Sequence, residues 1–321
     1  MASPAGGTVT TPFPYVVGRK MSLKSTDGDD ISVTVTNVYP VTTSPVMEVR
    51  IRTEKGFQKA ILKLFDRRFG DLRKLSTYAP EYPHTQQIEA AWQDYVRRGS
   101  AEVLFDYFRR RDEEEGPGMY ELPDSDEEEP EWEKPGKREG VICYKNQMYH
   151  ANEVQAYREL QALQGRCIPR FMASVTLNMP SVPPDLPPTY FEVRGVLLQK
   201  VYGFELTDLL SKLPDNPLAW EEIIQNSVDA AKEINRAGVI HMDCSPRNVL
   251  VARLDEHTFQ PFIIDFALSA FKWQFEDTDD LLDLNGFQCN VHMNNNPKAI
   301  GVSMVSDVEK ATGYKPRINY D

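Results

Sequence analysis

The sequence predicts an α+β fold of two lobes: an antiparallel sheet lobe followed by a mainly helical, reduced one. Three observations carry this. Residues 31–38, 46–52 and 59–65 alternate β-branched or aliphatic residues with polar ones, the period of half-buried strands. Helical spacing takes over from Asn216, where Asn as cap and Pro217 at the first turn open a helix that Gly238 stops. A polar loop, residues 241–248, then lies between short apolar runs at 239–240 and 249–251, and a further apolar run at 262–264 ends at Asp265.

The chain has 321 residues and 41% hydrophobic content, enough for a sizeable core and one large or two smaller lobes. Its formal net charge is −12, which argues against general nucleic-acid binding, because that needs a basic face to release phosphate counterions. The charge is local. Residues 112–133 hold twelve acids and no base, and the remaining 36 acids match 36 bases. The four cysteines, Cys143, Cys167, Cys244 and Cys289, form no C-x-x-C pair and read as reduced thiols. Cys289 and His292 make one C-x-x-H pair without partners, which reads as non-metal. The first fourteen residues lack the apolar run of a signal peptide, and no stretch of about 18 apolar residues could span a membrane. The expected location is cytosolic or nuclear, without membrane contact.

In chain order, Lys63 interrupts the third strand. A lone lysine in a strand is ordinarily its solvent face. Residues 86–111 carry Ile88, Ala91, Trp92 and Val96, then Val103, Leu104 and Tyr107, at helical spacing, so two helices are expected there. Residues 112–133 are too acidic and Pro-rich to bury anything and read as a solvated loop; the alternative is a docking segment with Ser125 as an acid-directed phosphorylation site. Order is expected to return from Tyr149, with Val154, Tyr157, Leu160 and Leu163 on one helix face. Glu153, four residues before Tyr157, shares that inward side, although it reads equally as a surface acid. Residues 191–201 give two strand segments. Beyond Asp265 the one helical run expected is 278–284, whose acids read as a solvated face because they lack calcium-loop spacing.

His241, Asp243 and Asn248 have the spacing H-x-D-x-x-x-x-N, and Asp265 follows the next strand. Phosphoryl transfer needs few protein groups: an aspartate to take the incoming hydroxyl proton, and an Asn and an Asp to hold Mg²⁺ against the phosphates. This arrangement resembles the catalytic core of the protein-kinase-like fold, shared by protein kinases and by choline and aminoglycoside kinases. The likeness runs from residue 31 to 271 with an insertion at 70–148, and is similar to the protein-kinase-like proteins of fungi, which combine long insertions with a reduced second lobe. It implies lobes at 1–201 and 202–321 and, as cofactors, ATP and Mg²⁺. It assigns Asp243 as the base, Asn248 and Asp265 as magnesium ligands, and His241 as the residue bracing the loop. It further implies Lys63 as the phosphate-contacting lysine paired with Glu153, Leu198 as gatekeeper, Gln199 to Val201 as the hinge offering backbone groups to adenine, and Glu205 as the ribose contact. Glu205 also reads as a helix-start acid.

The sequence departs from the family at residues 39–45, where a protein kinase has a glycine-rich loop; without glycine the backbone approaches phosphates less easily. Ser245 stands where protein kinases have lysine, with Arg247 as a substitute charge. Ala267 replaces the glycine after Asp265 and Phe266, and no A-P-E motif follows. Two functions therefore stay open. One is an ATP- and Mg-dependent phosphotransferase acting on a protein Ser/Thr or small-molecule hydroxyl. The other is a pseudokinase serving as a nucleotide- or protein-binding module.

Overall fold

The computed structural model describes residues 10–53, 56–74, 82–115, 133–177, 182–276, 281 and 283–321, with side chains of 113–115 set aside. The chain is α+β with antiparallel sheets. It divides into two compact units, residues 1–150 with 172–197, and residues 151–171 with 198–321. The units interleave along the chain, where the sequence reading has a single boundary at 201–202.

The first unit is built on β1 (Lys20–Ser25), β2 (Asp30–Val38), β3 (Val46–Thr53) and β4 (Gly56–Phe65). Its helices are α1 (Gln86–Arg97), α2 (Ser100–Glu115) and the first part of α3 (Lys134–Glu159); β5 (Phe171–Leu177) and β6 (Val193–Gln199) complete it. The six strands close into a barrel in the order β1-β2-β3-β4-β6-β5, where the sequence reading has an antiparallel sheet of three strands at 31–38, 46–52 and 59–65 and two segments within 191–201. Closure comes from β1, whose two apolar residues are too few to stand out in sequence; Lys24 and Ser25 pair with Thr176 and Val175 of β5. Alternation does the rest. Met21, Leu23, Val33, Val35, Met47 and Val49 point into one apolar core, while their neighbours face outward.

The insertion has its own core. Trp92, Tyr95, Phe105 and Phe108 of α1 and α2 pack with Val141 and Cys143 of α3. The order expected from Tyr149 in fact begins at Lys134. Gly136 and Gly140 lie within this helix and allow close packing. A Cβ at Gly136 would sit 2.6 Å from the Tyr95 side chain, and one at Gly140 would sit 2.7 Å from Leu104. At the centre, the fully buried Glu139 accepts hydrogen bonds from Arg67 (2.8 Å) and Arg73 (2.7 Å). Most of the acidic stretch, including Ser125, lies outside the described residues; its start, through Glu115, continues α2.

The second unit contains β7 (Gly203–Glu205), α4 (Leu209–Lys212), α5 (Pro217–Arg236), β8 (Val239–His241), β9 (Val249–Arg253), β10 (Phe259–Ile263), β11 (Ser269–Phe271), α6 (Phe287–Asn294) and α7 (Asn296–Thr312). Asn216 caps α5 by accepting from the Ala219 N–H. Residues 191–201 hold one strand, β6, not two. The helical run at 278–284 is not found: Leu281, Asp283 and Leu284 are non-helical, and 277–280 and 282 lie outside the described residues. Instead α6 and α7 occupy the C-terminal stretch, with the stripe Ile300, Met304 and Val308 buried and α7 lying along α5. That stripe is interrupted by polar residues and Gly301, which hid the helix. Among the described residues no helix is long and apolar enough to cross a membrane, and the four cysteines are free.

Candidate functional site

The site is assembled by two short sheets of the second unit. β9 and β10 form an antiparallel hairpin with Ile263 opposite Val249. Asn248 immediately precedes β9 and Asp265 lies two residues after β10, so this register brings them to the same open end. The Ile264 N–H donates to the Asn248 carbonyl at 2.9 Å, which fixes that approach. β8 and β11 pair His241 with Ser269, and the Met242 N–H donates to the Leu268 carbonyl at 2.7 Å.

His241 is 1% exposed and braces two segments. Its Nδ1 accepts from the Asp243 N–H at 3.2 Å and its Nε2 donates to the Ile264 carbonyl at 3.0 Å. Those partners set the tautomer, since one nitrogen faces a donor and the other an acceptor. The Asn248 Nδ2 donates to the Asp243 carbonyl at 2.8 Å and to Asp243 Oδ2 at 3.1 Å. Asp243 Oδ1 accepts from Arg247, so the substitute charge expected in the loop bears on the aspartate itself. The Cys244 thiol, beside Asp243, is pushed up to about 12, chiefly by burial, and stays protonated.

Residues missed in sequence complete this frame. Asn296, at the start of α7, accepts from the His241 N–H at 3.1 Å and donates to the His241 carbonyl at 2.7 Å. A file of rings runs from His241 to Phe266 (5.1 Å between centroids), to Tyr157 (5.6 Å), to Phe171 (5.5 Å). Burial first, then the charges of Glu153 and Asp265, hold the Tyr157 hydroxyl well above its usual pKa. Neither feature has a local sequence signal: Asn296 is remote in the chain, and Phe266 and Tyr157 read as ordinary core residues.

Asp265 adopts φ 67°, the left-handed region that Asp tolerates better than most residues. Ala267, where protein kinases have glycine, is buried and has no positive φ. The Ser245 hydroxyl is buried without a hydrogen-bond partner among the described residues.

The remaining expected residues fall as follows. Glu153 of α3 is 0% exposed, so the surface-acid reading is set aside. Leu198 and Val201 are buried, and Val201 packs with Ala252 and Phe262. The Gln199 N–H is already taken by the Arg170 carbonyl at 2.8 Å, so Gln199 does not offer that donor. Glu205 pairs with Leu250 across β7 and β9 and opens a short 3-10 turn without capping it through its side chain. Lys63 belongs to the barrel unit. It stands on the outer face of β4, yet is 5% exposed, with its ammonium 5.2 Å from the Phe65 ring centroid. Its register partner is Val46, where the 39–45 loop ends. That loop is fixed by backbone bonds: the Asp71 N–H donates to the Thr42 carbonyl (2.8 Å) and the Leu64 N–H to the Pro45 carbonyl (2.9 Å). Gly70, at φ 100°, makes the approach possible, since a Cβ there would meet the Thr43 carbonyl oxygen at 2.3 Å.

Among the described residues no three His, Cys, Asp or Glu side chains converge as a metal cluster. Mg²⁺ does not require one: it is commonly held by one or two carboxylates together with phosphates and waters. Asn248 and Asp265 fit that pattern. With Nδ2 committed to Asp243, the amide oxygen is the atom of the Asn248 side chain that could face a cation. Comparison with family models finds no match for this chain, and comparison with curated proteins finds none either.

Proposed function

We propose that the chain is an ATP- and Mg-dependent phosphotransferase of the protein-kinase-like kind, acting on a protein Ser/Thr hydroxyl or a small-molecule hydroxyl. The observation that carries this reading is the hydrogen-bonded frame in which His241 and Asn248 tie the Asp243 loop to the backbone entering Asp265. Asp243 accepts the proton of the attacking hydroxyl. Its carboxylate is aimed by Asn248 Nδ2 and Arg247, and aiming a proton acceptor contributes roughly 10²- to 10⁴-fold to rate. Asn248, through Oδ1, and Asp265 would hold Mg²⁺, which supplies charge neutralisation at the phosphates. Arg247 adds a cation at the acceptor side of the loop.

A second reading, a pseudokinase binding module, is favoured by one observation: the 39–45 loop has no glycine and is tied down at Thr42 and Pro45. A thermal-shift titration with ATP, with and without Mg²⁺, followed by a phosphate-transfer assay, separates the readings. The phosphotransferase reading expects a Mg-dependent shift, about 2.7 kcal/mol of stabilisation at a hundred times the dissociation constant, and transfer that Asp243→Asn removes. A shift without transfer to any acceptor, the protein itself included, supports the module. No shift at all overturns both nucleotide readings.

A further inference from the structure

The barrel unit contains a half-enclosed cavity of about 350 Å³, between the end of β4, α1, α3 and residues 182–194. Phe65, Val182, Tyr190, Phe191 and Val193 give it apolar walls. Its size is within the range of small-ligand sites, which combine such walls with a few placed polar groups.

The charged groups of the lining differ in how fully they are engaged. Asp66 accepts from Tyr15 (2.6 Å) and from Arg68 (2.6 Å). Glu89 is paired with Arg67 and with His84 (2.9 Å), and Arg67 also with Glu139 (2.8 Å). Thr11 and His84 are bonded to each other at 2.8 Å. Arg194 is the exception. Among the described residues its guanidinium reaches the Thr189 hydroxyl at 3.4 Å and Glu192 at 3.9 Å, the latter beyond hydrogen-bond range. Asn146, 4% exposed, spends its Nδ2 on the Ile142 carbonyl, and its amide oxygen takes no donor among the described residues.

We propose that this cavity binds a small aromatic carboxylic acid that also carries a hydrogen-bond donor. The planar carboxylate matches the fork of Arg194, the ring lies against Tyr190 and Phe191, and the donor meets Asn146 Oδ1 or Glu192. A dianionic phosphate fits less well, because Asp66, Glu89 and Glu192 all line the same space. The site is independent of the proposed phosphotransferase chemistry.

The test uses isothermal titration of the full chain with 4-hydroxybenzoate and with its uncharged counterpart 4-hydroxybenzamide. Wild type is expected to bind the acid at least tenfold more tightly than the amide. Arg194→Gln weakens the acid roughly tenfold or more, the scale of one lost charged hydrogen bond, and leaves the amide unchanged. Arg194→Lys, which keeps charge but loses the fork, falls between them. Val182→Trp fills the cavity and removes binding of both, with circular dichroism reporting that each variant is folded. No binding of 4-hydroxybenzoate to folded wild type at millimolar concentration overturns the proposal, as does equal binding by wild type and either folded Arg194 variant.

Discussion

Replacing Asn296 with alanine tests the frame directly, because among the described residues the hydrogen bonds of its side chain both go to the His241 backbone. Its side chain is 2% exposed and satisfies both backbone groups of His241, at 3.1 Å and 2.7 Å. Alanine leaves that N–H and that carbonyl buried without partners. Each costs about 1–3 kcal/mol, so the expected loss is about 3 kcal/mol once partial relaxation is allowed. At about 2–4 °C per kcal/mol for a domain of this size, the melting temperature falls by roughly 10 °C. Urea denaturation measures the free energy, and calorimetry the temperature. Asn296→Asp keeps the acceptor but sets a carboxylate against the His241 carbonyl, so it should be no better than alanine. A loss under about 0.5 kcal/mol for Asn296→Ala, within the range of ordinary surface substitutions, would refute the argument that Asn296 holds the loop strand.

Three further outcomes are expected. Glu139→Gln leaves Arg73 without the carboxylate that it pairs in the insertion core and Arg67 with Glu89, and urea denaturation should show a loss of about 3 kcal/mol; a loss below about 1 kcal/mol would mean that the network relaxes. His150 is held down to about 4, first by burial and then by Arg194. The unfolded chain therefore binds a proton near pH 6.5 that the folded one refuses, so stability falls as pH drops from about 6.5 to 4, by about 1.5 kcal/mol between 6.5 and 5. His150→Phe should flatten that slope in denaturation midpoints, and an unchanged slope counts against it. Asp243→Asn should retain the Mg-dependent ATP shift while lowering transfer roughly 10²- to 10⁴-fold. Asp265→Asn should instead weaken the shift itself, and equal non-zero transfer by wild type and Asp243→Asn would remove Asp243 from the mechanism.

The sequence exposed what is local. Alternation placed β2, β3 and β4 within a few residues of their observed limits, and Asn216 with Pro217 placed the start of α5. Elements with weak local signals were missed: β1, with only Met21 and Leu23 to bury; β5; and α7, whose buried stripe is broken by polar residues. Gly136 and Gly140 obscured the start of α3, because small residues that permit close packing look in sequence like residues that break helices. Candidate polar residues could be named from spacing. What joins them could not, since the His241 contacts to Ile264 and Asn296 are set by a hairpin register and a helix far along the chain.

Ile264 shows how that joining constrains the chemistry. Its N–H is taken by the Asn248 carbonyl and its carbonyl by His241 Nε2. The next residue, Asp265, has left-handed backbone, and the one after, Phe266, is fully buried between the rings of His241 and Tyr157. A left-handed non-glycine residue persists only where its neighbours over-determine it, and here both flanking residues are fixed. The backbone entering Asp265 is therefore held by the same two residues that hold Asp243: His241 bonds the Ile264 carbonyl and the Asp243 N–H through its ring, and Asn248 bonds the Ile264 N–H through its carbonyl and the Asp243 carboxylate through its side chain. The two carboxylates are thereby coupled through one ring: a change at His241 disturbs the backbone of Asp243 and the backbone entering Asp265 together. Such coupling suits a site in which one carboxylate must stay aligned with a hydroxyl while the other holds a cation, because near-attack geometry fails with shifts of about 1 Å.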